Sequence, residues 1–393
     1  MQLPVALRAR DLGYRVTIFG LTTAANDVCT EGFDCIGYTN LWDFAGHGAR
    51  EYGEVLCKNM ARNGLVSWNE TIAYHGINFS ELVAEVGEPE AYSRFRSQGR
   101  HAFLPIDFMS RVLAELRPDV VIASNSPRSE QAAIMAARKL SIPALCLVDL
   151  FALQEYKWIA QPEFADKVCV LNESVRQFFI AKGRKCDEVV VTGNPAFDKI
   201  MHPATVRAGQ KIKCARGWDD GKINVLWASQ IEPAVHPFNE LVGDSYLPRK
   251  IEGILREIVS QRDNMRLIVR YHPSESIKFV PGTNVAFSPR NEPLHPLLHA
   301  VDLVIVTAST VGLEAHIAGR PVISVDLSVF SADAPYSSTG IAAGVSSLEE
   351  FRVTMRDYAS EQVNSLLSAT KQPKYATEAV LSVIENLTAH LVE

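Results

Sequence analysis

The sequence predicts an α/β protein built from Rossmann-like, doubly wound parallel sheets in two domains, and three observations predict it. Short apolar runs rich in β-branched residues recur along the chain, each too brief to span a membrane and suited to a strand buried on both faces. Small polar turns follow them and lead into stretches of helical period that stop at glycine, which is the grammar of strand, helix, strand. The 393 residues exceed what one hydrophobic core holds, so two domains of roughly 150 to 200 residues are expected. Residues 1–200 are read as the first, 201–222 as a linker, 223–368 as the second, and 369–393 as a C-terminal helix that packs back on the first domain.

Composition narrows the function. An apolar content of 47% with 21% charged residues is that of an ordinary globular chain, and a net charge of −6 leaves no electrostatic footprint for nucleic acid. No strong basic run points to tight binding of an anionic membrane. Seven cysteines (29, 35, 57, 146, 169, 186, 214) are odd in number and contain no C-x-x-C pair, so they read as free thiols in a reducing compartment, with Cys146 and Cys169 as small core residues. There is no run of 18 apolar residues and no cleavable leader pattern. A cytoplasmic address is expected, which leaves room for an acceptor at the inner membrane face.

Taken in order, Leu3, Val5, Ala6, Ala9 and Leu12 form one helical face that ends at Gly13, and residues 15–19 read as a strand. Residues 21–105 hold many aromatics, glycines and short polar stretches, and read as loops of the kind that recognise an acceptor. His47, His75 and His101 read as structural or exposed, and no H-x-x-x-H or H-E-x-x-H pair suggests a metal site. The pattern sharpens from Pro105: a helix at 106–116, a strand at 120–123 ending in S-N-S-P-R-S, a helix at 130–140 and a strand at 144–148 with Asp149 at its carboxyl end. Functional groups of such a unit lie at the carboxyl ends of the strands, here Ser124, Asn125, Ser126 and Asp149. D-K-V-C-V-L-N-E-S at 166–174 repeats the grammar, and a strand at 189–192 is closed by G-N-P-A-F-D, where Asn194 serves turn chemistry and a binding role equally well. The linker carries H-P-A-T, Lys211, Lys213 and W-D-D-G.

A second sheet begins at 223–228, with Ser229 and Gln230 in the loop behind it. A helix at 248–261 and a strand at 265–269 follow, ending in R-Y-H-P-S-E, so Arg270 and His272 emerge at a carboxyl end. A second H-P pair, His295-Pro296, sits among Leu294, Leu297 and Leu298 and reads as part of a short packing helix. The most informative stretch is 301–325, V-D-L-V-I-V-T-A-S-T-V-G-L-E-A-H-I-A-G-R-P-V-I-S-V, one complete strand, helix, strand unit. Its turn places Ser309, Thr310 and the N–H groups of Val311 and Gly312 where an anion is favoured, with Gly312 admitting a phosphate close to the backbone. Glu314, about one turn on, suits a pair of sugar hydroxyls. The polar loop 331–340 is of the type that contacts a donor sugar, and a final helix at 375–391 shows Ala376, Val380, Leu381, Ile384, Leu387 and Leu391 near one face.

The set Ser309, Thr310, Gly312, Glu314, Gly319 and Pro321 resembles the C-terminal nucleotide-binding domain of glycosyltransferases with the two-domain B-type (GT-B) fold. That superfamily includes UDP-N-acetylglucosamine 2-epimerases, capsule polysaccharide transferases and polyglycerol-phosphate transferases. The resemblance implies two Rossmann-like domains facing a cleft, with the donor's diphosphate and ribose on those residues and Ser229 and Gln230 near the phosphates. The His272-Pro273 pair is similar to the H-P motif of bacterial sialyltransferases and capsule Kdo transferases, in which the histidine contacts the donor phosphate. Protonated His272 and a bidentate Arg270 would then stabilise the leaving nucleotide. The T-G-N-P-x-x-D ending at 192–198 also recurs in the superfamily and places Asn194, with Asn125, at the cleft. Asp219-Asp220-Gly221 matches a sialyltransferase base motif by letter, although three polar residues before a strand are ordinary turn chemistry. One departure stands out: the strand and Gly-rich loop that precede the opening helix in the superfamily are absent, so either translation starts further upstream or the central strand of the first sheet is missing.

The expected function is therefore metal-independent transfer of a sugar from a nucleotide-sugar donor to a glycan or lipid-linked acceptor, in surface polysaccharide or glycoconjugate biosynthesis. No cofactor is expected, the nucleotide-sugar being substrate, and Asp149 is the expected base. Three rivals are a nucleotide-sugar 2-epimerase, a CDP-linked polyol-phosphate transferase and a non-catalytic nucleotide-binding protein. The epimerase would want a T-R-P-E start and an H-x-R-x-E-N segment, and S-Q-I-E-P at 229–233 does not match the latter.

Overall fold

The structure, a computed structural model of the chain, describes residues 1–20, 24–33, 35–62, 64–237, 239–358 and 375–389. Internal contacts divide the chain into two compact units, Met1–Ala196 with the segment from Tyr375 onward, and Phe197–Lys374.

The first unit holds a short parallel pair, β1 (Ile18–Phe19) and β2 (Cys35–Ile36), and a separate parallel sheet of β3 (Val121–Ser124), β4 (Ala144–Leu147), β5 (Lys167–Val170) and β6 (Val189–Val191) in sequence order. Every residue of β4 is buried, which is why its sequence is apolar throughout rather than alternating. Helix Glu173–Ala181 starts where Asn172 Oδ1 accepts from the Val175 N–H at 3.0 Å. Leu145, Leu147 and Cys169 pack with Val5 of the opening helix Gln2–Asp11 and with Val380, Leu381, Val383 and Ile384 of helix Ala376–Thr388. Arg8 and Glu378 join those two helices at 2.7 Å. The first and last described helices thus cover the same sheet; Leu391, expected on the same face, and the 368/369 boundary lie outside the described residues. Burial pushes both core thiols up, Cys169 to about 12 and Cys146 in the same direction.

Residues 21–105, expected as loops, are largely helical: Ala24–Thr30, Ala49–Cys57, Trp68–Val86 and Glu88–Gln98. Two glycines explain what the pattern concealed. A Cβ on Gly53 would stand 2.4 Å from the Ile72 carbonyl oxygen, and one on Gly76 2.0 Å from that of Ala49, so two helices cross backbone to backbone. The rings of Tyr74, Phe95 and Phe103 stand edge-on to His75, whose Nδ1 lies 2.9 Å from the Thr71 carbonyl and whose pKa burial lowers. It is a core histidine.

The second unit is a six-stranded parallel sheet of β7 (Ile223–Ala228), β8 (Met265–Arg270), β9 (Val285–Phe287), β10 (Leu303–Val306), β11 (Val322–Val325) and β12 (Ala343–Val345). Its order is β12-β11-β10-β7-β8-β9. The chain begins in the middle with β7, steps outward through β8 and β9, and returns to the other side of β7 with β10. Order therefore reverses between β7 and β10, with Trp227 opposite Ile305 and Leu226 opposite Val304. In open α/β sheets that reversal opens a crevice at the carboxyl ends. Trp227, Val269 and Ile305 lie in the core that helices Leu247–Ser260 and Leu348–Tyr358 cover. The expected linker 201–222 is mostly helix Pro203–Ala215, started by His202 and drawn onto the unit by Gly209, where a Cβ would meet the Pro296 carbonyl oxygen at 2.5 Å. Asp220 of the D-D-G letters binds Arg266 at 2.6 Å, at the start of β8 and so at the sheet edge away from the crevice. No helix among the described residues is long and apolar enough to cross a membrane.

Candidate functional site

The turn after β10 carries the residues that the sequence singles out, and its geometry shows how they are held. The Val311 N–H donates to Ser309 Oγ at 3.4 Å and the Gly312 N–H to the Ser309 carbonyl at 3.0 Å, so both expected anion donors are engaged within the turn. The Tyr336 hydroxyl donates to the same carbonyl at 2.9 Å. Gly312 is buried, and a Cβ there would meet Val306 Cγ2 at 2.8 Å and the Tyr336 ring at 3.2 Å. The glycine lets helix Val311–Ile317 pack closely on β10 and Tyr336. Thr310 is exposed, and the Ser309 side chain is partly so.

Glu314, one turn along, has a side chain only 13% exposed, and its Oε2 lies 3.0 Å from His295 Nε2. The histidine read as structural therefore reaches the carboxylate expected to hold ribose, while Leu297 and Leu298 of the same short helix are fully buried. Arg270 leaves the end of β8 and donates through Nη1 to Ser288 Oγ at 2.8 Å and the Pro289 carbonyl at 3.4 Å. Burial lowers its pKa first, and the carboxylates of Glu292 and Glu314 raise it in return. Arg270 thus belongs electrostatically with Glu314, and Glu292 is also paired with Arg216 at 2.5 Å.

The loops after β7 and β8 are tied together by a residue the sequence reading missed. Glu275 accepts from the Ser229 hydroxyl at 3.0 Å, from Arg249 Nη2 at 2.8 Å and from the His272 backbone N–H at 2.7 Å. Ser229 also accepts from Arg249 at 2.7 Å and is buried, so its hydroxyl joins the two loops. The Gln230 Oε1 is buried without a partner among the described residues. His272 is exposed, and its Nδ1 accepts the Ser274 N–H at 3.2 Å. With Nδ1 accepting, the neutral form of the ring carries its hydrogen on Nε2. Glu232 binds Ser328 Oγ at 2.6 Å and the Val329 N–H at 2.8 Å, and Asp333 lies 2.9 Å from His236 Nε2. The His236–Asp333 contact fastens the 331–340 loop, and Glu232 the residues just before it, to the loop after β7.

In the first unit the three predicted residues do meet. Asn125 Oδ1 accepts the Asp149 N–H at 2.8 Å, and Asn194 Nδ2 donates to the Asp149 carbonyl at 2.7 Å and to its Oδ1 at 3.0 Å. Asn194 Oδ1 in turn accepts the Ala196 N–H at 2.9 Å. Asn194 is buried and Asp149 exposed, so the ends of β3, β4 and β6 present one fixed carboxylate to solvent. Among the described residues no group of three or more His, Cys, Asp or Glu side chains is placed to hold a metal ion. Glu275 and His295 had sequence signals of a kind, the first lying three residues from His272 and the second repeating the H-P dipeptide, whereas Arg249 had none.

No family model and no curated protein sequence matches the chain. Solved structures do. A protein assigned as UDP-N-acetylglucosamine 2-epimerase from Listeria monocytogenes shares 16% identity over 72% of this chain and 77% of its own, with a TM-score of 0.50. A second crystal structure of UDP-N-acetylglucosamine 2-epimerase shares 14% identity over 99% of this chain and 92% of its own, with a TM-score of 0.53. At such identities the likeness speaks for the fold: this chain has two Rossmann-like domains of the GT-B type.

Proposed function

We propose that the chain binds a nucleotide-sugar in its second unit and transfers the sugar to a hydroxyl of a glycan or lipid-linked acceptor, as a step in surface polysaccharide or glycoconjugate assembly. The observation that carries this reading is the largely buried Glu314, held by His295 one helical turn beyond the Ser309-Thr310 turn, where the sheet order reverses. Ribose hydroxyls suit the carboxylate, and the diphosphate suits the turn hydroxyls and the Nε2–H of His272. Charge that develops on the leaving diphosphate is met by these donors and by Arg270, without a metal in the scheme. Asp149, fixed by Asn125 and Asn194, is the group suited to take the acceptor's proton.

A second reading is a nucleotide-sugar 2-epimerase, favoured by the names of the two structural neighbours. One experiment separates them. The protein is incubated with UDP-, CMP-, CDP-, GDP- and dTDP-sugars, with and without EDTA and with candidate acceptors, and the products are followed by NMR and chromatography. Transfer releases nucleotide only with an acceptor and is lost in Asp149→Asn. Epimerisation inverts the sugar at C2 with no acceptor. Neither product from any sugar, with folded protein, overturns both readings.

A further inference from the structure

We propose that Glu275 is a positioning residue that holds the His272 imidazole in its Nε2–H tautomer; the proposal rests on the reading of His272 as the phosphate-facing group. The four residues His272-Pro273-Ser274-Glu275 form a closed turn. The Glu275 N–H donates to the His272 carbonyl at 2.9 Å, and the Glu275 carboxylate accepts the His272 N–H at 2.7 Å, so the two ends bind each other in both directions. Pro273 limits the backbone between them. The Ser274 N–H then falls 3.2 Å from Nδ1 of the imidazole.

A backbone N–H can only donate, so this contact needs the lone pair of Nδ1 and sends the ring's single hydrogen to Nε2. A proton added to Nδ1 would face another N–H across the same gap. The turn therefore selects one tautomer of the neutral ring, with its hydrogen on Nε2.

What fixes the turn is the other half of the Glu275 carboxylate. Its Oε1 is shared by Ser229 from the loop after β7 and Arg249 from helix Leu247–Ser260, and Arg290 from the loop after β9 donates to the Glu275 carbonyl. Three separate elements thus hold a residue that is 7% exposed. A glutamate that only filled a buried ion pair would need no bond to His272. Here one oxygen serves the ion pair and the other serves the histidine.

The test is the tautomer itself. Protein carrying ¹⁵N-histidine is examined by long-range ¹H–¹⁵N correlation at pH 8, above the ordinary histidine pKa of about 6.5, with His272→Gln used to identify the signal. The expected result is the Nε2–H form in the wild type without ligand. In Glu275→Gln the side chain keeps one accepting oxygen and gains an amide that opposes Arg249 or the His272 N–H, so the signal should move to a mixture of tautomers. Glu275→Asp keeps the charge but withdraws the oxygen from His272 and should do the same, which keeps the test sound if the glutamine variant folds poorly. Both should weaken UDP, or whichever nucleoside diphosphate binds, by about tenfold or more. An Nδ1–H wild type, or an unchanged tautomer in either folded variant, overturns the proposal. Absence of nucleotide binding with the expected tautomer changes would instead count against the functional reading and leave the positioning role standing.

Discussion

His295 Nε2 and Glu314 Oε2 lie 3.0 Å apart, on two short helices, with the carboxylate only 13% exposed. A carboxylate has about four lone-pair sites, and the imidazole occupies one. The remainder can accept from a pair of vicinal hydroxyls while the histidine keeps the group from turning.

His295→Ala should therefore weaken nucleotide binding by about three- to tenfold, roughly 0.7 to 1.4 kcal/mol, without a comparable fall in stability. His295→Gln, which can still donate, should recover most of it. Isothermal titration with the bound nucleotide reads both.

Gly312→Ala should destabilise the second unit by about 1 to 3 kcal/mol, the cost of overpacking a filled site. The clash is with Val306 Cγ2 at 2.8 Å and the Tyr336 ring at 3.2 Å, so the double variant Gly312→Ala, Val306→Ala should lose less than the sum of the two single changes. Thermal or denaturant melts supply the cycle. Full additivity would mean that the two side chains do not compete for the same space.

That glycine also shows what the sequence could and could not say. The strand, turn, helix pattern around it was plain, because β-branched runs, capping hydroxyls and Gly319 all act locally. Its purpose was not, since Tyr336 lies 24 residues further along and only the fold brings its ring to Gly312. The same holds for Ser229: its place at a strand end was clear, but its capture by Arg249 and Glu275 depends on two other elements. Residues 21–105 were opaque for a different reason, because close helix crossings at Gly53 and Gly76 use small residues that read as loop signals.

In the first unit, Asn194→Ala should cost about 1 to 3 kcal/mol, since it removes the donor to the Asp149 carbonyl and carboxylate from a buried site. Transfer should fall far more than stability, and nucleotide affinity should hold. A variant that transfers at the wild-type rate would remove Asp149 from the chemistry.

Stability should decline on mild acidification. Burial depresses the pKa values of His75, His299 and His316, so the unfolded chain binds protons that the folded one refuses. The stability is present above the ordinary histidine pKa of about 6.5 and is lost as pH falls through the depressed folded values. Melting temperatures from pH 8 to pH 5 should fall below about pH 6.5, and His316→Gln, if it folds, should flatten part of that fall. A flat profile would mean that these rings charge freely in the folded state.

The most direct test of the central claim is isothermal titration of UDP, CMP, CDP, GDP and dTDP into the wild type and Glu314→Ala. One nucleotide should bind the wild type and lose at least about tenfold in affinity, roughly 1.4 kcal/mol, in the variant. No binding by any of the five, or binding that Glu314→Ala leaves unchanged, would contradict a nucleotide site at the order reversal of the second sheet.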